Sequence, residues 1–525
     1  MARRRRVGTV ATATSLLAIA WLTIVTAADG AMPLARGGQI VLVGSFVVLA
    51  LVDFRRAAAI ALLELVVGGS SGQWTTFPGG PHGRLVLDAI VMLGALVSLS
   101  STWRRERRID LGRYGPHAVI LAIVLPLVWM PLGLLNGNRP ADVFSDGNAQ
   151  FFFAFAVVFV ALAFSGDGPW VRRWLLVACA ANAVVIGALF AVSVTGLVQL
   201  EPTLRIVLTD RLGMGNSIGY MPNGAYRLYL ANGLFLQIGV AATAWALLCN
   251  WRRPWLWGLM GLLLVDLVAT YTRGYWLGAA LSFGMVVLVG WRGFGPAIRV
   301  VGGVIGIAAA ATVLGYAVGF SLPDYLLERA STVGATQTPG ATQTPGVNQT
   351  PGGQAQPSPT FPPGFVPPPP VVPGEDTSGQ LSNAVRVEQA RILLGHIQER
   401  PVFGWGFGTI ATGYRYGSIP SYELAYLDLA YKAGFVGLLL WLSFPVRVLF
   451  DLFTRRLGRR RPPEDLTPEA MALPIAMVVG ILITGATNPY ILASYGLLPI
   501  LWAIAWLESA GPRPTRARQM AAVAA

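Results

Sequence analysis

Long apolar runs, each closed by a short cluster of arginines, dominate this chain and limit what it can fold into. A helix of about 20 apolar residues crosses the hydrocarbon core of a bilayer. Only helices and closed barrels satisfy their own backbone hydrogen bonds there. Runs at 7–28, 39–52, 57–68, 85–102, 118–135, 151–164, 174–198, 228–248, 254–270, 275–290, 300–320, 433–453, 471–486 and 491–506 read as fourteen spans. Arginine clusters lie at 55–56, 104–108, 172–173, 252–253, 292–299 and 455–461. Fourteen alternating spans put all of these on one side, and the bias in Lys and Arg makes that side the cytoplasm. Both termini are then cytoplasmic. The long loops and the short corners at Arg273 and Asn488 face outward. The expected architecture is all-α: a polytopic transmembrane helical bundle.

Charge supports the same class. Only 12% of the 525 residues are charged, against about 25% in soluble globular proteins. Mean hydropathy is +0.58. A water-soluble multidomain enzyme is excluded. A net charge of +14 would suggest nucleic acid in a soluble chain. Here it is the sum of the cytoplasmic clusters, so membrane lipids are the expected partner and nucleic acid is not. The basic N-terminus followed by residues 7–28 has the outline of a secretory signal. The run exceeds an apolar signal region of about 7–15 residues, and it reads as an uncleaved first helix.

Three regions follow. Residues 1–320 carry helices 1–11, residues 321–432 form a large extracytoplasmic loop, and residues 433–525 carry helices 12–14 and a cytoplasmic tail. Within the loop, 331–380 holds the hexad repeat ATQTPGATQTPG and a proline tract, with a sequon at Asn348. Such a Pro/Thr/Gly segment buries no apolar surface and is expected to be a disordered spacer. Residues 382–400 have helical periodicity and end at Pro401, which predicts an amphipathic helix on the outer membrane surface.

Cys179 and Cys249 form no framework and read as packing residues; the three histidines are far apart. No metal site is expected, and no phosphate loop of the Gly-rich type is present. The outward arginines carry the chemical interest: Arg227, Arg273, Arg386 and Arg391. A single arginine at a helix end snorkels to headgroups, but several facing outward against the usual bias suggest a site. Guanidinium binds phosphate bidentately and keeps its charge, so these residues suit a lipid-linked diphosphate. Asp266 lies seven residues before Arg273, two helical turns, and is placed to hold it or to pair with another helix. Glu64 and Asp88 lie within apolar runs, as an ion path or a structural pair.

Three segments together resemble the O-antigen ligase and O-antigen polymerase superfamily of bacterial membrane glycosyltransferases. TYTRGYWLGAALSF at 270–283 is similar to that family's Ser-Arg-Gly corner, with Thr272 in the place of Ser. The helix from Arg386, closing in RPVFGWGFGT at 400–409, is similar to its Arg helix and Pro-x-x-Gly-x-Gly turn. AYLDLAYKAGFVGLLL at 425–440 is similar to the start of its next helix. Order and spacing agree over about 232–453. Many members carry a His-Asn pair before the Tyr-Leu; that position holds Glu423 and Leu424 here.

The resemblance implies transfer of a glycan from a polyprenyl-diphosphate-linked oligosaccharide to a hydroxyl of a glycan or lipid acceptor on the outer face, with inversion, no cofactor and no metal. Arg273 and Arg386, with Arg227 and Arg391, would bind the diphosphate. Glu423 is the first candidate for the catalytic base and His396 the second. Trp405, Tyr422 and Tyr426 could stack on sugars, or serve as interfacial aromatics. The competing class is a flippase for lipid-linked oligosaccharides. It predicts internally related halves, and none is visible in the sequence.

Overall fold

A computed structural model describes residues 2–27, 32–68, 83–106, 111–164, 168–195, 197, 206–211, 215–220, 226–290, 294–317, 378–411, 422–457 and 468–508. The proline-rich spacer, the sequon at Asn348 and the arginines after 508 lie outside these residues.

The described residues form sixteen α-helices. They are α1 (Ala2–Ala27), α2 (Met32–Val52), α3 (Phe54–Gly68), α4 (Gly83–Glu106), α5 (Gly115–Leu135), α6 (Pro140–Phe151), α7 (Ala156–Phe164) and α8 (Gly168–Val194). Then come α9 (Leu234–Cys249), α10 (Pro254–Ala269), α11 (Arg273–Val289), α12 (Phe294–Ala317), α13 (Ser378–Glu399), α14 (Ala425–Arg456), α15 (Ala472–Gly485) and α16 (Ser494–Glu508). Eight helical segments are long and apolar enough to cross a membrane, and α10, α11, α15 and α16 are shorter apolar helices. The fourteen expected spans compare with these twelve among the described residues.

The lipid-facing side is legible on α1. Val10, Leu17 and Ile24 recur every seven residues and are 65%, 71% and 63% exposed. A stripe of that kind would be an aggregation liability in water and is satisfied in lipid. The interior is built around α9, which packs against α8, α10, α11 and α15. Its Leu234, Phe235, Leu236 and Ala241 are fully buried. Two polar pairs lie inside this core: Asn232 Nδ2 donates to Asn182 Oδ1 at 2.8 Å, and Thr484 Oγ1 to Gln237 Oε1 at 2.7 Å. In an apolar interior each unpaired polar group would cost several kcal/mol, roughly, so pairing fixes the helix register.

Three elements differ from the sequence expectation. Residues 201–227, read as a polar stretch, include strand β1 (Gly215–Tyr220), which pairs antiparallel with β2 (Tyr226–Leu230). The bundle therefore carries one small hairpin and is not purely helical. Residues 140–150, read as loop, are α6, started by Pro140 at its first turn and continued through Phe152–Phe155 into α7. Proline costs nothing there, since the first N–H groups of a helix have no partner. The helix expected from 433 begins at Ala425 and continues across a kink at Gly434 (φ 66°).

That kink has a partner. In an unbroken helix the N–H groups of Phe435 and Val436 would bond to Tyr431 and Lys432. Instead they donate to the carbonyls of Pro401 and Val402 at 2.8 and 3.2 Å. The carbonyls of Tyr431 and Lys432 accept from Trp405 and Gly406 at 3.1 and 2.8 Å. The 401–406 segment thus satisfies these four groups that the kink releases. Its glycines make this possible. Gly406 has φ +86°, and a Cβ there would lie 2.3 Å from the Gly133 nitrogen at the end of α5.

Candidate functional site

The arginines singled out in the sequence come from elements far apart in the chain. Arg227 sits in β2, and its guanidinium lies over the Tyr229 ring at 5.1 Å. Arg386 sits in the first half of α13. Its Nε is 2.7 Å from Glu423 Oε2, with side chains 28% and 27% exposed. Arg227 lies against Tyr229, and Glu423 and Arg386 are near enough for their charges to act on the same phenol. Burial pushes that phenol upward. Its hydroxyl is in hydrogen-bond contact with the Tyr490 hydroxyl, and Tyr490 stacks on Tyr275 at 5.5 Å.

Arg273 is the first residue of α11, in a corner of only three residues after α10. Reversal in so short a span requires a left-handed residue, and Tyr271 provides it at φ 50°. The conformation costs about 1–2 kcal/mol; the tyrosine is fully buried in compensation. This corner packs on the one at 484–488. A Cβ on Gly274 would meet Asn488 Nδ2 at 2.2 Å, and Thr484 Oγ1 donates to the Gly274 carbonyl at 3.4 Å. The two outward corners read from the sequence therefore touch. Tyr490 and Tyr275 extend from them toward Tyr229, which ties Arg273's corner to the cluster.

The other candidates lie elsewhere. Asp266 belongs to α10, and the corner takes Arg273 onto a different helix, so the two do not share a face. Among the described residues neither Asp266 carboxylate oxygen has a hydrogen-bond partner. Arg391 is exposed and pairs with Glu388 at 2.6 Å, which holds the Glu388 carboxyl below its ordinary range. His396 lies ten residues beyond Arg386 on α13, about 15 Å at 1.5 Å per residue. It packs against Trp405 and Tyr431 instead. Helix α13 buries Gln389, Leu393 and Ile397; the last two pack with Tyr422, Ala430 and Tyr431. Its apolar face thus rests on protein.

The proposed sugar-stacking aromatics are committed to the framework. Trp405 lies under the Arg400 guanidinium at 4.0 Å and donates to the His396 carbonyl at 3.0 Å. Tyr426 donates to the Leu482 carbonyl at 2.6 Å. The buried Tyr422 hydroxyl meets the Ala411 N–H, and burial raises its phenol to about 12.

A second charged group had not been assembled from the sequence. Lys432, the chain's sole lysine, places Nζ 3.0 Å from both Asp146 of α6 and Asp428 of α14. Asp146 also accepts the Gly408 N–H at 2.7 Å, closing the triad onto the glycine turn. The spacing of Asp428 and Lys432 as i and i+4 was a visible signal. Asp146 gave none, because it lay in a segment read as loop. Glu64 pairs with Arg84, at 2.6 and 2.8 Å, which decides for it the structural-pair reading. Cys179 is buried and packs; Cys249 is exposed.

Residues 258–442 match the family described as O-antigen ligase. The matched segment contains Arg273, Arg386, Trp405 and Glu423; Arg227 lies before it. The superfamily resemblance read from the three motifs is supported over this segment, and with it a glycosyl-transferring, multi-pass membrane enzyme. No curated protein matches the chain.

Proposed function

We propose that this chain transfers a glycan from a polyprenyl-diphosphate carrier to an acceptor hydroxyl at the extracytoplasmic face, with inversion at the sugar carbon and without a metal ion. The observation that carries this reading is the convergence of Arg227, Arg386 and Glu423 around Tyr229. Three separate segments deliver two cations and one carboxylate to a single place, beside the corner that starts α11 with Arg273.

The chemistry follows from charge. Breaking the bond between the anomeric carbon and the diphosphate oxygen leaves negative charge on that oxygen. Pre-positioned cations stabilise it without the reorganisation that water would need. Arginine suits the task because its fork is bidentate and its charge permanent. Arg273 adds the amides at the positive end of α11. Glu423 takes the proton of the attacking hydroxyl as the new carbon–oxygen bond forms. In the present structure Arg386 is bonded to Glu423. A bound diphosphate competes for Arg386 and releases the carboxylate toward the acceptor, so donor binding activates the base.

The test uses purified protein in nanodiscs, a polyprenyl-diphosphate oligosaccharide and excess chelator. Release of polyprenyl diphosphate with a glycan ladder supports a polymerase. Release with attachment to an added lipid or glycan acceptor supports a ligase. Absence of release, with intact donor crossing to the other leaflet of proteoliposomes, would replace this reading with a flippase.

A further inference from the structure

A cavity of about 540 Å³ lies apart from the arginine cluster, walled by α4, α6, α14 and α16. Small-molecule sites occupy about 300–1,000 Å³. Its polar lining includes Arg84, Asp88, Asp146, Gln150, Asp428 and Lys432. Phe151, Phe152, Phe155 and Phe407 supply aromatic surface.

Two buried side chains in this wall have an atom with no hydrogen-bond partner among the described residues. Gln150 is 3% exposed and its Oε1 has no partner; Arg84 is 6% exposed and its Nη1 has none. Arg84 commits Nε and Nη2 to Glu64, so Nη1 is the donor left over. A buried acceptor or donor left unmade bears its full desolvation cost, which a ligand that completes the bond removes. One donor and one acceptor therefore wait in the same cavity, with the Asp88 carboxyl on the same wall.

Charge selects among ligands. Three carboxylates line the cavity, and both of its cations are already bonded, Arg84 to Glu64 and Lys432 to Asp146 and Asp428. A phosphate is repelled there. An acyl chain would leave the polar atoms unmet. A divalent cation would have to displace Lys432 from between two of the carboxylates. A sugar meets every requirement: each hydroxyl both donates and accepts, and the apolar face of the ring packs on aromatic carbon.

We propose that this cavity binds a saccharide unit of the glycan through Asp88, Gln150 and Arg84 Nη1, separately from the arginines that hold the diphosphate. Two bridges join it to the transfer site. Tyr495 on its wall lies 5.6 Å from Tyr490, which meets Tyr229. Asp428 accepts the Tyr422 N–H at 3.5 Å, next in sequence to Glu423. That the bound sugar takes part in transfer rests on the transferase reading; that it binds does not.

Binding is measured by saturation-transfer NMR on the full chain in nanodiscs with two probes. One is free oligosaccharide released by mild acid from the host's polyprenyl-linked pool; the other is undecaprenyl diphosphate. Asp88→Asn, which keeps side-chain shape, and Gln150→Leu should each weaken oligosaccharide binding at least tenfold and leave undecaprenyl diphosphate unchanged. Arg386→Ala should do the reverse. Equal oligosaccharide affinity in wild type and both cavity variants, or no transfer to sugar protons in wild type, would overturn the sugar site. Undecaprenyl diphosphate binding unaffected by Arg386→Ala would instead overturn the diphosphate assignment and leave the sugar site standing. In turnover, a raised KM for donor identifies the bound unit as the donor's sugar, and a raised KM for acceptor identifies it as the acceptor's. Unchanged KM for both would remove the cavity from the reaction.

Discussion

Replacing Lys432 by methionine tests a buried charge arrangement of the fold. The lysine side chain is 4% exposed, Asp428 2% and Asp146 17%. Methionine keeps much of the stem and removes the charge. The two contacting carboxylate oxygens each lie 3.0 Å from Nζ, so they are at most about 6 Å apart. At an effective dielectric of about 20, two like charges at that distance repel by about 3 kcal/mol. Removing one partner of a buried ion pair costs about 3–5 kcal/mol by the same logic of an uncompensated charge. The expected loss is therefore about 3–5 kcal/mol, with little direct effect on Arg386 or Glu423. Unfolding by SDS in mixed micelles, followed by tryptophan fluorescence, measures it. The triple variant Lys432→Met, Asp146→Asn, Asp428→Asn removes the repulsion and should recover to within about 1 kcal/mol of wild type. A single variant that loses less than about 1 kcal/mol, or a triple variant no more stable than the single, refutes the electrostatic account.

Four further outcomes are expected. Arg386→Ala should lower donor turnover at least a hundredfold with membrane insertion unchanged, and Arg386→Lys should recover only part of it, because an ammonium lacks the bidentate fork; released polyprenyl diphosphate is the readout. Glu423→Gln should lower kcat and leave undecaprenyl diphosphate affinity near wild type or tighter, since Arg386 loses its competing carboxylate; a tenfold weaker affinity would contradict the competition between them. Gly406→Ala should destabilise the protein by at least about 1–2 kcal/mol, the cost of a left-handed side chain alone, and by more because its Cβ meets the Gly133 backbone; the midpoint of SDS unfolding reports it. Excision of residues 335–372 should leave turnover within twofold of wild type, since that stretch has the composition of a spacer.

The sequence by itself determined the class of protein and most of its helices. Burial in lipid depends on local apolar length, which is written in contiguous runs. The arginines, the corner at Arg273 and the 382–400 helix were legible for the same reason: each is a short-range pattern of charge or period. Tertiary structure alone decided which of these residues meet. Arg227 and Arg386 are separated by a long segment outside the described residues, and no local signal says that β2 and α13 approach. The hairpin that carries Arg227 was hidden because its strands are short and read as polar loop. Lys432 and Asp428 were visible as neighbours on one helix, but Asp146 joins them only because α6 folds back on α5 and brings its carboxylate within reach of α14. Pairing of Arg84 with Glu64, and the partners denied to Asp266 and to Gln150 Oε1 among the described residues, depend on how helices pack around a polar atom. In a membrane interior such an atom takes whichever partner packing brings within 3 Å or so, because no water competes for it. Hydropathy places the helices in the bilayer, and only their packing assigns the charges they carry.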